Sequence, residues 1–453
     1  MDNPFKKIPV ERFNHFCSGF VLVWLLLSIP AGILWRPTVP DFGQFYIGGL
    51  LAARGEWKAL YPMPVYWSQD NPGLSIHSFA KPRWKLLAYE KGIPDYTHFM
   101  LPPPSAVLFT PFVYARSYTQ AFWAWTGILI LAVWGLGANS CKILRKLKGM
   151  PTRYEGFLFL LIAFSPMTAR AIRISNVSPL LALLLSIVLL GLVQEGRSVR
   201  ISLALISGAL LKYATLILAP LLFALRRWSI LFWTWILGVC VLLFTYVIAG
   251  AEPFREFVNV IMPTLSRPSA FRGNQSLPGM LARIFGRPLP EQVAIILNVA
   301  RLSSLAVILA IFGTLSRDLW KRTEIVLSGA GLLLGWLLIF SPIAWEHWPI
   351  LLCPLWGWLL WEMRSPGLIR KFAISSLILM YFPAGIIQVP GIASYKVLLP
   401  EPLNSSQLLG VLIFTVLSFW RLNAPRLREP ESVKEILKIG NLHSEPKSDQ
   451  TRS

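Results

Sequence analysis

Residues Phe16-Cys17-Ser18-Gly19-Phe20-Val21-Leu22-Val23-Trp24-Leu25-Leu26-Leu27-Ser28-Ile29-Pro30-Ala31-Gly32-Ile33-Leu34 form a nearly unbroken apolar run. It is long enough to cross a bilayer as a helix. It is also too long, and too poor in a small-residue cleavage site, for a removable signal peptide. It therefore reads as a retained first span. A short stretch with Arg36-Pro37 and Val39-Pro40 follows, and then Asp41-Phe42-Gly43-Gln44-Phe45-Tyr46. Asp41 thus falls where a membrane helix meets water, and a carboxylate there can accept a proton from a bound hydroxyl.

The rest of the chain is built the same way. Of 453 residues, 55% are hydrophobic and 14% charged, with mean hydropathy +0.56. A soluble domain has no core large enough for this apolar surface, so a polytopic membrane protein is expected. The runs are long and continuous, which favours helices over barrel strands. Many of the 19 Trp and 27 Phe stand at the ends of runs, where aromatic rings meet the lipid–water boundary. The net charge of +21 is explained by Lys and Arg retained on the cytoplasmic side, with attraction to anionic headgroups or a phosphate substrate as a second source. The basic residues are dispersed in short loops, which argues against nucleic acid as a partner. Cys17, Cys141, Cys240 and Cys353 lie in or beside apolar runs at no metal-ligand spacing and read as packing residues.

Apolar spans are expected near 16–35, 119–140, 154–174, 177–194, 229–249, 291–314, 323–341, 349–363, 372–388 and 408–422. Basic clusters punctuate them at Lys6-Lys7, Lys142 to Lys148, Arg197 and Arg200, Arg226-Arg227, Arg317 to Arg322, Arg370-Lys371 and Arg421 to Arg428. If all are cytoplasmic, two segments must fail to cross. These are 101–114, opened by Pro102-Pro103-Pro104, and 200–225, interrupted by Lys212 and Pro220. Broken helices of this kind are tolerated where they line a protein cavity. The alternative is that both are tilted spans and one basic cluster lies outside. Residues 1–423 then form one membrane domain and 424–453 a flexible cytoplasmic tail. The long loop 36–100 carries Trp57, Tyr61, Tyr66, Trp67, Trp84, Tyr89 and Tyr96 and an amphipathic stretch from Phe45 to Ala53, expected as short helices on the membrane surface. Loops 36–100, 250–290, 342–348 and 389–407 share the extracytoplasmic side.

Several polar residues stand out against this background. Asp41 reads as a general base, or as an N-cap of the helix that follows. Lys212, in Ser207-Gly208-Ala209-Leu210-Leu211-Lys212-Tyr213, costs about 2.5–3.5 kcal/mol at membrane depth. It therefore faces a partner such as a lipid phosphate, or snorkels to the interface. The small residues before it permit close helix approach. His347, in Trp345-Glu346-His347-Trp348, suits a phosphate oxygen or a departing group, or is an interfacial residue between two Trp. Glu346 is a second carboxylate that could hold the His347 tautomer. Arg170 and Arg173 share a helix face and suit phosphate oxygens or lipid headgroups. Asn274-Gln275-Ser276 offers amides for sugar hydroxyls, or is a turn, and it matches a glycosylation sequon. No zinc-spaced His/Cys cluster, phosphate-binding glycine loop or nucleophile elbow is present. No cofactor is expected, and no ligand cluster requires a metal.

Five motifs occur in order: Asp41-Phe42 with Tyr46; Leu101-Pro102-Pro103 with Phe109-Thr110-Pro111-Phe112; Gly208 to Lys212 before Arg226-Arg227-Trp228; Asn274-Gln275-Ser276; and Ser341-Pro342 with Trp345-Glu346-His347. Together they resemble glycosyltransferase family 87, integral-membrane enzymes of the GT-C type that use polyprenyl-phosphate-sugars, over about residues 40–350. The resemblance implies an all-α, polytopic transmembrane bundle of GT-C type in the cell membrane, with a long extracytoplasmic first loop carrying amphipathic helices, and an extracytoplasmic active site. It implies an inverting transfer of a hexose, mannose first, to a glycolipid or glycan acceptor. Asp41 maps onto the family's base, and Lys212 and His347 onto its phosphate-side groups. Tyr46, Arg170, Arg173, Asn274, Gln275 and Glu346 are the further substrate-binding candidates. The family often has Gly-Gln where this chain has Ser175-Asn176, and a second Tyr at Phe45, which bears on the acceptor. A transporter of lipid-linked sugars would also explain broken helices and Lys212. It leaves unexplained the aromatic loop that starts at Asp41. A structural subunit would use the same polar residues only as caps and anchors.

Overall fold

The computed structural model describes residues 19, 41–61, 82–93, 99–270, 273–286, 289–365, 367–381 and 405–427. All of the expected first span 16–35 but Gly19, together with Tyr66, Trp67 and Tyr96, most of loop 389–407 and the tail beyond 427, lies outside these residues. Among the described residues the chain is helical throughout, with one isolated bridge between Asn274 and Trp345 in place of any strand. Five helices are long and apolar enough to cross a membrane: Tyr118–Leu144, Trp228–Ala249, Glu291–Thr314, Thr323–Phe340 and Ser406–Ala424. They match the apolar runs read from the sequence.

Two of these helices expose most of their length. Leu242, Leu243, Phe244 and Val247 on one, and Ile295, Ile296, Val299 and Leu302 on the other, point outward. Such apolar faces are stable against lipid and costly against water. Cys240 sits on the same outward-facing helix, whereas Cys141 and Cys353 are buried as packing residues. By contrast, Thr323–Phe340 is buried along most of its length and forms the axis of the main core.

Two expected spans are broken, both at proline. The run 154–174 is two helices, Arg153–Ala163 and Pro166–Arg173, bent by 42°. Pro166 brings no N–H, and Ser165 starts the second helix by accepting from Thr168 N at 3.1 Å. The run 349–363 begins as a 3-10 helix, Trp348–Leu355, containing Pro349 and Pro354, and becomes α-helical only over Trp356–Glu362.

The segments 101–114 and 200–225 hold no helix long enough to cross a membrane. Pro103–Phe109 and the 3-10 turn Thr110–Tyr114 together are too short to span. The second segment is a hairpin. Ser198–Leu211 runs inward from Arg197, the chain turns at Lys212, and 213–224 returns to Arg226 and Arg227. Its feet are tied by Arg227 to Glu195 at 3.2 Å and by Ser202 Oγ to Ile230 O at 2.8 Å. Its apex is held by Ser105 Oγ, which donates to Leu210 O. The small residues before Lys212 do permit close approach, but to the hairpin's own second leg. A Cβ on Gly208 would lie 2.3 Å from Thr215 Cγ2, and Thr215 Oγ1 donates to Leu205 O at 2.8 Å.

The basic clusters among the described residues collect at the end of the bundle where this hairpin has its feet. Arg145 pairs with Glu155 at 2.6 Å, Trp361 Nε1 donates to Lys148 O at 3.1 Å, and Arg421 meets Glu362 at 3.4 Å. Asp41 and Lys212 stand at the opposite end. There a second, aromatic core forms around helix Phe42–Ala53. This helix was expected on the membrane surface, and the structure corrects that: Phe42, Phe45, Tyr46, Ile47, Leu50 and Leu51 are all buried. Its apolar residues run all the way round, so no face is left for water. Phe42 stacks on Trp125 with centroids 5.9 Å apart, and Phe45 on Phe109 at 4.7 Å. The amphipathic surface helix of the loop is instead Pro82–Glu90, which buries Trp84 and Leu87 and exposes Leu86 and Tyr89.

The Gly208–Thr215 contact makes a direct prediction. Gly208→Ala overpacks the hairpin and destabilises the protein by about 1–3 kcal/mol. Adding Thr215→Ala relieves most of that cost. Thermal unfolding of the purified wild type, both single variants and the double variant checks the coupling.

Candidate active site

Most of the expected site residues stand at or near a break in a helix, and most of these breaks meet. Asp41 precedes helix Phe42–Ala53, and its N–H donates to Ile174 O at 2.7 Å. It occupies the N-cap position, yet its carboxylate makes no capping hydrogen bond. Oδ2 instead accepts from Asn176 Nδ2. The N-cap alternative therefore describes the position of Asp41 and not what its side chain does.

Asn176 lies in the turn between helices Pro166–Arg173 and Ser178–Val193. Its Oδ1 accepts from Ser178 N at 3.0 Å and from Ser178 Oγ at 2.6 Å. With the oxygen fixed by Ser178, the NH2 group must face Asp41. Ser175 makes the turn with φ of 55°, a left-handed conformation that glycine adopts freely. This is the position where the resembling family often has Gly. The Ser175 carbonyl is held by Trp125 Nε1 at 3.0 Å.

Arg170 and Arg173 end the preceding helix and repel each other's charge. Arg170 Nε lies 2.6 Å from Glu346 Oε1. Glu346 was expected to hold the His347 tautomer, and its ion pair is with Arg170. Lys212 sits at the hairpin apex in extended conformation, φ −162°. Its ammonium lies 4.5 Å from the centre of the Trp348 ring, a cation–π distance. It does not snorkel away from the cluster. His347 is 3% exposed, and its Nε2 has no hydrogen-bond partner among the described residues.

Electrostatics ties these groups together. Burial raises the proton affinity of Asp41, while the Asn176 hydrogen bond and the charges of Lys212 and Arg170 oppose the rise. Burial also raises Glu346, against the pull of Arg170. Burial, Lys212 and Arg170 all hold His347 well below the usual imidazole range, so its ring is neutral. Among the described residues no group of three or more His, Cys, Asp or Glu side chains gathers as a metal site.

Three candidates stand apart from the charged cluster. Tyr46 packs edge-on against Tyr118, centroids 5.3 Å apart, inside the aromatic core. Asn274 is fully buried, and both ends of its amide serve the protein. Nδ2 donates to Ser269 O and Pro342 O at 2.8 and 2.9 Å. Oδ1 accepts from Ser276 Oγ at 2.9 Å and Ala344 N at 2.8 Å. Gln275 N donates to Ala344 O at 2.6 Å, and Glu346 N to Gly273 O at 2.8 Å. Asn274-Gln275-Ser276 is thus a clamp that fixes the loop bearing Glu346 and His347. Its turn reading describes it better than a sugar-facing amide pair, and the burial of Asn274 closes the glycosylation sequon. Gly279 completes the clamp, since a Cβ there would lie 2.4 Å from Asn274 Nδ2.

Sequence reasoning missed Asn176, Ser178 and the Trp348 face. The local signal for the first two was present: Asn176-Val177-Ser178-Pro179 and Asn274-Gln275-Ser276-Leu277-Pro278 both place Asn, then Ser, then proline before a helix. Nothing local marks which of the two faces a carboxylate.

The profile described as glycosyltransferase family 87 matches residues 99–342, more than half of the chain. The matched stretch includes Arg170, Arg173, Lys212, Asn274 and Gln275, while Asp41, Tyr46, Glu346 and His347 lie beyond its ends. No curated protein and no solved structure matches the chain.

The clamp is open to test. Asn274→Ala leaves two carbonyls and the Ala344 N–H without their partner, at a cost of about 1–3 kcal/mol for each group left buried. The expected result is a lower unfolding temperature together with faster hydrogen exchange across 341–348, measured by mass spectrometry.

Proposed function

The chain belongs to glycosyltransferase family 87, and from that membership we propose an inverting hexosyl transfer from a polyprenyl-phosphate-sugar to an extracytoplasmic acceptor hydroxyl. Mannose is the hexose this reading favours, and the acceptor is a glycolipid or glycan. The reading places the enzyme in the cell membrane as a multi-pass GT-C type protein. The basic end of the bundle is then cytoplasmic and Asp41 lies on the other side. One observation carries it. Arg170 and Lys212, far apart in sequence, both meet the Glu346–Trp348 loop, Arg170 on Glu346 at 2.6 Å and Lys212 over the Trp348 ring at 4.5 Å, and both cations act on Asp41 and on His347.

In this mechanism the acceptor oxygen attacks the anomeric carbon from the face opposite the phosphate. Asp41 takes the hydroxyl proton as the new bond forms. The bond from carbon to phosphate oxygen breaks, and the polyprenyl phosphate leaves with one more negative charge. Lys212, Arg170 and Arg173 stabilise that developing charge where water is scarce. His347 is neutral, so its part is to give an N–H hydrogen bond to a phosphate oxygen rather than to act as a cation. Asn274 acts at a distance by fixing the His347 loop. Family membership favours transfer over transport of the same lipid-linked sugar.

Substituting Asp41 separates the readings. Asp41→Asn lowers kcat by about 10²–10⁴-fold with expression and unfolding temperature preserved. Lys212→Ala raises the KM for a synthetic polyprenyl-phosphate-mannose more than that for the acceptor. Steady-state kinetics on reconstituted enzyme checks both. Unchanged kcat in Asp41→Asn excludes the base role, and equal KM changes in Lys212→Ala exclude the phosphate role.

A further inference from the structure

The turn from Ser175 to Ser178 presents one amide group to one carboxylate, and its construction fixes which end of the amide does so. Ser178 offers both its backbone N–H and its hydroxyl to Asn176 Oδ1. Flipping the amide would place an NH2 against the Ser178 N–H, which cannot accept, and an oxygen against the Asp41 carboxylate. Both contacts would be repulsive. The same device recurs at Asn274, whose Oδ1 accepts from Ser276 N at 3.3 Å and Ser276 Oγ at 2.9 Å. The Asn-x-Ser turn therefore sets the amide without help from Asp41. At Asn274 the freed NH2 is used twice on backbone carbonyls. At Asn176 it is aimed at Asp41 Oδ2.

The backbone on either side holds the turn in place. Asp41 N is anchored to Ile174 O, and Ser175 O to Trp125 Nε1. Asn176 itself is 5% exposed. Ser175 stays left-handed at a cost of about 1–2 kcal/mol, which the surrounding contacts must offset. With Oδ2 taken by Asn176, the other carboxylate oxygen remains for proton transfer.

We propose that Asn176 is the positioning residue of the reaction, holding the Asp41 carboxylate in one rotamer with Oδ2 engaged and Oδ1 left to meet the acceptor hydroxyl. The proposal rests on the reading of Asp41 as the base. It assigns the Ser175-Asn176 pair a role on the base itself. A donated N–H also favours the ionised carboxylate. The charged groups acting on Asp41 are Lys212 at the hairpin apex and Arg170 on the preceding helix. Helix Tyr118–Leu144 brings the titratable Tyr118 against Phe42. Removing Asn176 leaves all of these in place, so the change in Asp41 is attributable to the amide.

Isotope-edited infrared difference spectroscopy on aspartate-labelled full-length protein, with Asp41→Asn as the blank, reads the protonation of Asp41 without any substrate. In Asn176→Ala the Asp41 midpoint moves up by about one pH unit. In Asn176→Asp, which adds a like charge, it moves further. Ser178→Ala removes one of the two donors to Asn176 Oδ1, leaves the backbone N–H and the amide in place, and moves the midpoint less, in the same direction. Release of polyprenyl phosphate from synthetic polyprenyl-phosphate-mannose follows the same order. Its acid limb shifts upward, its high-pH plateau falls by about 10- to 100-fold through lost orientation, and donor KM is unchanged. A midpoint and acid limb that stay put in both Asn176→Ala and Ser178→Ala, with only the unfolding temperature lowered, overturn the proposal and leave Asn176 as packing. If instead Asp41→Asn keeps wild-type release, the base reading falls, and with it the catalytic meaning of any infrared shift.

Discussion

Charge removed from water must be balanced nearby, and that requirement organises one end of this bundle. Asp41 and Glu346 are set against Lys212 and Arg170, with a neutral His347 beside them. With both carboxylates ionised, the two cations balance them. The sugar phosphodiester of the proposed donor carries one negative charge. When the phosphate leaves it gains a second negative charge. In the same step Asp41 gains a proton and ceases to neutralise its cations. The proposed reaction thus moves negative charge from the carboxylate to the leaving group while the cations stay still. This is the form of electrostatic preorganisation that costs no rearrangement during the step.

Interruptions of the helices make the arrangement possible. A continuous helix presents side chains on its flanks, whereas a broken one can aim a side chain from its end. Asp41 precedes a helix, Arg170 and Asn176 flank a turn, Lys212 caps the hairpin leg, and His347 ends the loop before a 3-10 helix. Irregular backbone is tolerated at membrane depth only inside protein. The charges and the backbone breaks therefore need the same shelter, and here they share it.

The spans were legible because apolar length is a strong and local signal. The limits of Glu291–Thr314 and Thr323–Phe340 could be read almost to the residue. The two short segments were legible too, since proline and Lys212 interrupt them. Less was visible where a break occurs inside an otherwise apolar run. The Phe164-Ser165-Pro166 corner and the proline-rich start of 348–355 both look like continuous hydrophobic sequence. The stretch Phe45 to Ala53 reads as amphipathic in the sequence, and hence as a surface helix. Its partners, Phe109 and Trp125, come from distant segments. At the candidate site the ionisable residues stood out against the apolar background. The amides did not, because Asn176 and Asn274 have the same local pattern and opposite duties. Only the partner across the gap, a carboxylate in one case and carbonyls in the other, tells them apart.

The way Lys212 is held bears on whether this architecture suits transfer or transport. A transporter must expose its central site first to one side and then to the other, which requires the element bearing the site to rock or unwind. Lys212 is placed by a hairpin fixed at both feet, through Arg227 with Glu195 and Ser202 with Ile230. It is fixed again at the apex, by Ser105 on Leu210. Its legs are locked by a glycine that leaves no room beside Thr215. Unwinding the hairpin to expose Lys212 toward the basic end would break the contacts within it, and swinging it as a body would break the Ser105 contact at its apex. A fixed ammonium suits a reaction in which the substrate arrives and departs on one side, and the charge it must meet develops at one place.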